Sequence, residues 1–573
     1  MAKGRTLASR TLEGMLKRIR YSACERRNAL WIVNLLALPG RFSFNLPRVK
    51  LAFVLVGALL LALPLRAQMT LAEVTAVLQQ AVSRAAVVAP NAVVAVVDRE
   101  GFVLGVWSVN GAPPTAANQA NAIAKAGTAA FLSSAQNAFT PRTAAMIVQQ
   151  NFPPGVVNKP PGPLVGVNFS QLAFSDINKY KLPAEAGRLT LGSSPAAPLT
   201  QIPTPLTGGL AGTAGGVPLY RAGVLIGGVG VAGDGDNDPL NITASTVSSA
   251  KVDEDVALAG QVGFAPSPRI LGNKVFVDGI ALAYVASTTS LGVVTPLGGI
   301  GAAVAGFAPT ASPAGPLPYV PTTLGGVSGE IRQAIIDDTT SALVPALRLT
   351  AAEVTAILTA GANRARTTRA GIRLPRGVPM QVFISVVNNP NAAGTPPVCL
   401  GTFCTSPDTT RFSWDVCVQK ARTAVFFSSD ARGFSARTVG FMAQGTYPPG
   451  IAGTTPGIFL GLQERFSIIT PGGSVAAVNT LNGAAFNTSV AVNPNLPNGM
   501  TIFAGSMPLY RGGVLIGAVG VSGDGIDQDD LVAASAAAAL GGIFLPPEPV
   551  RADRSLHRGA RLPLVKFPRN PAL

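Results

Sequence analysis

At 573 residues the chain exceeds one ordinary core and predicts two or three domains. It is 48% hydrophobic and only 13% charged, with 63 Gly and 47 Pro, which predicts deep burial, many turns and long loops. The net charge is +16, but residues 1–67 hold twelve Lys/Arg against two Asp/Glu, and most of the remaining excess gathers at Arg551, Arg554, Arg558, Arg561, Lys566 and Arg569. A nucleic-acid binder places its basic stripe on the folded body, so nucleic acid is excluded as a partner.

Residues 51–63 are apolar and uncharged, preceded by Arg48 and Lys50 and followed by Pro64, Arg66 and Ala67. A basic flank, a short apolar run and a small residue at its end are the pattern of a secretory signal, and the run is shorter than a comfortable membrane span. Residues 1–67 therefore read as a basic lead with a cleaved signal, giving a secreted or periplasmic protein. The other reading is an uncleaved membrane anchor at residues 51–65.

Four blocks then recur in the same order. Residues 70–78 return as 350–358 with seven identities in nine, and residues 125–134 return as 420–429. Residues 139–155 return as 434–450, both closing on aromatic-Pro-Pro-Gly, and residues 218–235 return as 508–525 with 15 identities in 18. Two copies at so long a period mean domain duplication. The reading places one domain at 69–262, a linker at 263–345, a second domain at 346–541 and a basic, Pro-rich, disordered tail at 542–573.

In chain order, Thr70 with Glu73, and Thr350 with Glu353, predict a capping box opening an amphipathic helix. Residues 93–97 and 102–107 predict two strands joined by the turn Asp98-Arg-Glu-Gly101. Residues 117–134 and 141–150 predict helices, the second closed by aromatic-Pro-Pro-Gly. Residues 156–210 predict a long loop. Residues 219–220 and 224–231 predict a hairpin turning at Arg221-Ala-Gly223, whose second strand is apolar on both faces and hence central. Asp253, Glu254 and Asp255 predict the start of a closing helix, with Asp527, Asp529 and Asp530 in that place in the second copy. Residues 274–286 predict an extra strand pair within the linker. The order gives an α/β (α+β) fold: two antiparallel sheets, each packed with helices.

Cys24 lies in the lead, while Cys399, Cys404 and Cys417 lie together in the second copy. The simple expectation is one disulfide and one free thiol among those three, with the pairing open. A zinc site is not expected there, for want of a fourth ligand.

The Val-Val-Asp-x-x-Gly turn at residues 96–101 and the Lys-Ala-x-Thr-Ala helix at Lys125 and Lys420 have a third companion. It is the Pro-Leu-x-x-x-Gly-x-x-Ile-Gly-x-x-Gly-Val-x-Gly hairpin, and together the three motifs resemble the GlcG/HbpS family of haem-binding or haem-degrading domains. The resemblance covers most of 69–262 and 346–541. It implies a five-stranded antiparallel sheet flanked by helices in each copy, homo-oligomerisation, a haem or related tetrapyrrole ligand, and a sensor role beside a membrane-associated partner. The second copy departs from it, replacing the Asp98 turn by Asn388-Asn389-Pro390 and adding an insert at 391–412.

Candidate ligand contacts follow. Lys125 and Lys420 sit in helices of small and apolar residues, and Arg142 and Arg437 recur one helix later. These four cations suit the carboxylates of haem held between helix and sheet. The bland reading is a surface or helix-capping cation. Tyr220 and Tyr510 lie beside arginines at the hairpin tip, where tyrosinate ligates iron in some haem proteins. The other reading is an amphipathic residue covering a sheet edge. The only histidine, His557, lies in the tail, so an iron ligand must otherwise come from Tyr220, Tyr510, Met442 or Cys417, or be lacking. Asp234, Asp236 and Asp238, and Asp524, Asp527 and Asp529, alternate as calcium ligands do, which makes calcium a second candidate cofactor. Their other reading is acids capping the last helix.

No Ser-His-Asp or Cys-His constellation is available to the two domains, and the Gly-Val-Gly-Val run reads as a strand, not a phosphate loop. The leading expectation is an exported tetrapyrrole binder and not an enzyme. The alternatives are an assembly module that has lost its ligand, and an enzyme degrading haem or processing small acids.

Overall fold

The computed structural model describes residues 68–147, 152–154, 156, 162–164, 211–233, 250–313, 320–372, 374–375, 377–451, 453–460 and 500–573. The export segment, the long loop at 165–210, and Asp234, Asp236 and Asp238 lie outside these residues.

The first repeat opens on α1 (Leu71–Val88). The Thr70 side chain accepts the Glu73 amide at 3.2 Å and the Glu73 carboxylate accepts the Thr70 amide at 2.8 Å, which is the predicted capping box. Strands β1 (Val93–Asp98) and β2 (Val103–Ser108) follow, then α2 (Ala116–Leu132) and α3 (Pro141–Ile147). The hairpin is β3 (Gly216–Arg221) with β4 (Val224–Ala232), and α4 (Val252–Gly260) closes the repeat. Between the repeats come a small ladder of β5 (Phe276–Val277) with β6 (Ile280–Ala281), then β7 (Ala302–Ala303), β8 (Val320–Leu324) and β9 (Val327–Gln333). The second repeat contains α5 (Ala351–Thr367), β10 (Val382–Asn388), β11 (Cys399–Cys404), α6 (Phe412–Phe427), α7 (Ala436–Met442), β12 (Ser506–Arg511), β13 (Val514–Gly523) and α8 (Ile526–Ala537).

The first sheet runs β3-β4-β1-β2-β7, so β4 is interior, as its two apolar faces predicted. The second runs β12-β13-β10-β11-β9-β8. Both are antiparallel, and they share their irregularities: a bulge at Val96/Val97 recurs at Val386/Val387, and one at Leu219/Tyr220 recurs at Leu509/Tyr510. The expected five strands are present in the first sheet and become six in the second, because the inter-repeat segment supplies the outer strands of both. The outer edges of β2 and β11 carry backbone groups that need partners, and β7 and β9 provide them.

Alternation along β1 puts Val93, Ala95 and Val97 against α2, and Val94 and Val96 against α1 and α4. On the α2 side the contact is unusually close. A Cβ at Gly228 or Gly230 would collide with the carbonyls of Ala126 or Ala122 in α2, and one at Gly520 would collide with that of Cys417 in α6. The glycines of the hairpin motif therefore bring helix backbone onto sheet backbone, which leaves no space for a planar ligand between them. The α2-side core of the first sheet and the α6-side core of the second form one apolar cluster.

The tail departs from its expected disorder. A 3-10 turn (Ala552–Arg554) leads into β14 (Leu556–His557) and β15 (Ala560–Arg561), repeating the 3-10 turn (Gly272–Lys274), β5 and β6 found after the first copy. Leu562 and Leu564 are each 3% exposed in the second core. Ser435 Oγ donates to the Leu564 carbonyl and Thr438 Oγ1 to that of Pro563 at 2.6 Å. A Pro/Arg-rich composition hid two leucines at the spacing that one buried face requires.

Truncation at Pro547 removes both leucines from the core. At roughly 1.5–3 kcal/mol each, the expected loss is about 3–6 kcal/mol. Thermal denaturation of the truncated chain checks this, and an unchanged midpoint contradicts the docking.

Candidate functional site

Each repeat encloses a buried ion pair beneath its sheet. Lys125 Nζ lies 2.6 Å from Asp253 Oδ2 and donates to the Val231 carbonyl at 2.9 Å, with both charged side chains fully buried. In the second repeat Lys420 Nζ lies 2.8 Å from Asp529 Oδ2 and donates to the Val521 carbonyl at 2.7 Å. The pair joins the middle helix to the first turn of the last helix and to the end of a central strand. Gly215 (φ +120°) and Gly505 (φ +118°) close over it. A Cβ there would lie 2.6 Å from the Asp253 Cβ or 2.7 Å from the Asp529 Cβ, so only glycine fits.

The second pair of cations is enclosed in the same way. Arg142 grips Glu254 through Nε and Nη2 at 2.9 and 3.0 Å, and Glu254 also accepts the amides of Ala286 and Ser287 at 2.8 Å. Arg437 pairs with Asp530 and, at 2.7 Å, with Asp527. Asp530 accepts the Lys566 amide at 2.9 Å, and Lys566 Nζ reaches Asp527 at 3.1 Å. These arginines hold the closing helix to the segment that follows it.

Tyr220 Oη donates to the Ser134 carbonyl at 2.7 Å, and Tyr510 Oη to the Ser429 and Arg432 carbonyls at 2.9 and 2.8 Å. Burial pushes both phenols above their usual range, Tyr220 strongly, which disfavours the tyrosinate that iron ligation needs. Lys125, Arg142, Tyr220, Lys420, Arg437 and Tyr510 thus do not converge on a ligand. Each holds its own repeat together.

The acidic loop of the second repeat is likewise dispersed. Asp524 Oδ2 accepts the Gln381 amide at 2.8 Å, Asp527 serves Arg437 and Lys566, and Asp529 serves Lys420. Among the described residues no group of three or more His, Cys, Asp or Glu is placed to hold a metal ion. Cys399, Cys404 and Cys417 are three buried free thiols, contrary to the expected disulfide. Cys399 and Cys404 end the same extended strand on opposite sides of its length, too far apart to bond. Met442 is buried in the second core.

A further charged cluster, which the sequence did not single out, lies between the repeats. Glu100, in the β1–β2 turn, accepts from Arg411 Nε at 2.8 Å and Arg332 Nη1 at 3.1 Å. Beside it Arg99 Nη2 meets Asp408 Oδ1 at 3.2 Å, and the same oxygen accepts the Ala135 amide at 2.8 Å. Arg332 also pairs with Glu330 at 2.5 Å and lies 5.7 Å from the Trp414 ring. Burial alone would raise the Glu100 carboxyl, but Arg411, Arg332 and Arg99 outweigh it and hold the group far below the ordinary carboxylate range. The charged Asp-Arg-Glu turn was the available signal, but its partners lie more than 200 residues away.

Glu100→Gln leaves the buried Arg411 without its carboxylate partner and Arg332 with Glu330, at a cost of about 3–5 kcal/mol. Chemical denaturation of the variant reads this, and a loss below about 1 kcal/mol contradicts the role given to Glu100. Asp529 carries the opposite shift: burial pushes its carboxyl up to about 7 against the pull of Lys420, and Asp530 is raised for the same reason. Their contribution to stability is full below the ordinary carboxyl range and declines as pH rises towards 7. Asp529→Asn takes the counter-charge from Lys420, so denaturation midpoints should fall at every pH, and it should also flatten the decline between about pH 4 and pH 7. A variant with the wild-type slope contradicts the assignment.

A family model described as "Haem degrading protein HbpS-like" matches residues 69–248 and 392–538. Among solved structures, the chain is similar to the complex of PduOC with haem at 20% identity and TM-score 0.17, over 34% of this chain and 94% of that one. It is similar to HbpS at 23% identity and TM-score 0.19, over 34% and 90%. It is also similar to a double mutant of HbpS from Streptomyces reticuli at 20% identity and TM-score 0.19, over 40% and 98%. No curated protein matches. The two matched stretches together span more than half the chain and fall one on each repeat, so this protein belongs to the HbpS-like family as a tandem duplicate.

Proposed function

We propose that the chain binds haem or a closely related tetrapyrrole as an exported, non-enzymatic sensor or scavenger, self-associating beside a membrane partner. Membership of a haem-linked family over both repeats carries this reading. The apolar run at 51–63 behind a basic flank supports export, and the lack of histidine before residue 557 supports binding over catalysis.

Lys125, Arg142, Lys420 and Arg437, with Tyr220 and Tyr510, are already engaged within their own repeats. The four cations are neutralised inside the protein, the two phenols donate to carbonyls, and α2 lies directly on its sheet. A tetrapyrrole is therefore held elsewhere on the repeats. The second reading, an assembly module without ligand, draws on one observation: the β1–β2 turn of the first repeat is already locked into the second by Glu100.

Titration of the mature chain with haemin separates the two readings. Binding gives a shifted Soret band at micromolar protein. A flat difference spectrum together with an unchanged oligomer rejects the tetrapyrrole and leaves the assembly module.

A further inference from the structure

The ordered C-terminal segment carries the chain's one histidine, His557, onto the second repeat. There its ring stands edge-on to Tyr447, with centroids 5.1 Å apart and planes at 75°. Tyr447 Oη donates to the His557 carbonyl at 3.0 Å, which fixes this backbone against the aromatic-Pro-Pro-Gly turn. The imidazole itself is not fixed in this way. Its Nε2 is buried and has no hydrogen-bond partner. Such an atom is unfavourable to bury unless something binds it.

The first repeat lacks this arrangement. The matching strand is β5, where Val277 stands at the place of His557, and Phe152 opens the matching turn in place of Tyr447. The imidazole and the phenol that buttresses its backbone belong to the second repeat alone, in a hairpin otherwise duplicated.

A lone imidazole is a poor site for a free divalent ion, which takes about four ligands. The described residues offer no cluster of three or more metal-ligating groups. A tetrapyrrole already fills four positions around its iron and asks the protein for one or two. An unpaired ring nitrogen on a short two-stranded ladder meets that need. Turning the ring out of its contact with Tyr447 breaks no hydrogen bond of the imidazole among the described residues. Arg558 is held on the repeat, 5.9 Å from the Tyr447 ring and donating to Thr455 Oγ1 at 3.1 Å and the Pro456 carbonyl at 2.8 Å. Arg561 is exposed on the same hairpin, and its charge complements the ligand's carboxylates.

We infer that His557 is the axial ligand through which the second repeat holds an iron tetrapyrrole, with Arg561 facing its carboxylates. This rests on the tetrapyrrole reading above and gives it an iron ligand that neither repeat's own motifs supply.

The test compares haemin titrations of the full mature chain and of His557→Ala, following both the Soret band and the visible bands that report a nitrogen ligand. The wild type is expected to show nitrogen ligation. The variant should lose those bands and bind at least about tenfold more weakly. Free imidazole should restore the bands to His557→Ala, a rescue that a merely structural histidine would not show. Equal thermal midpoints for the two proteins confirm that the fold is kept. If the variant has failed to fold, His557→Gln, which keeps a polar group of similar length, replaces it and must also lose nitrogen ligation. Wild-type spectra and affinity in the variant overturn the role of His557 while leaving tetrapyrrole binding intact. No Soret shift in the wild type overturns both.

Discussion

An ammonium group enclosed between a sheet and two helices has to be neutralised where it stands, because water cannot reach it. Lys125 and Lys420 meet that requirement in the same way, with one carboxylate from the last helix and one carbonyl from a central strand. The rest of each repeat follows from the arrangement. The last helix must begin with acids, the strand must end at the lysine, and a glycine must close over the pair. The neighbouring arginine then holds the segment after the last helix, so the ion pairs order the chain well past the family motif.

Each repeat is incomplete by itself. The segment between them completes the outer edge of both sheets and supplies Arg332 to the charged cluster that joins them. The cluster is one-sided. The first repeat presents Arg99 and Glu100 in its turn, whereas the second has Asn389 and Pro390 there. That second turn is covered by the inter-repeat segment, Ser341 Oγ donating to the Asn389 carbonyl at 2.6 Å and the Ala342 amide to that of Pro390 at 2.9 Å. Duplication has thus allowed the two copies to specialise, one as the inserting partner and the other as the receiving one.

The same specialisation bears on ligand binding. Residues that look like ligand contacts because they recur, the lysines, arginines and tyrosines, recur because the fold needs them twice. The residue that fits an iron ligand occurs once. His557 occupies a hairpin position that is valine in the other copy, and its Nε2 is buried without a hydrogen-bond partner.

The sequence by itself determined the duplication, the capping boxes at Thr70 and Thr350, the interior place of β4 and the family, because these depend on local periodicity and on motifs that repeat. It also held the glycines of the hairpin strand, though not their purpose, which is to admit a helix backbone. Only the tertiary structure decided what the charged residues do. Whether Lys125 faces a ligand or Asp253 depends on a contact across 128 positions, and Glu100 finds Arg411 across 311. Composition read the C-terminal segment as disordered, whereas burial of Leu562 and Leu564 orders it and carries His557 into place. Long-range pairing of charges and the docking of a short apolar face leave no local period in a sequence, and here those two effects set the site.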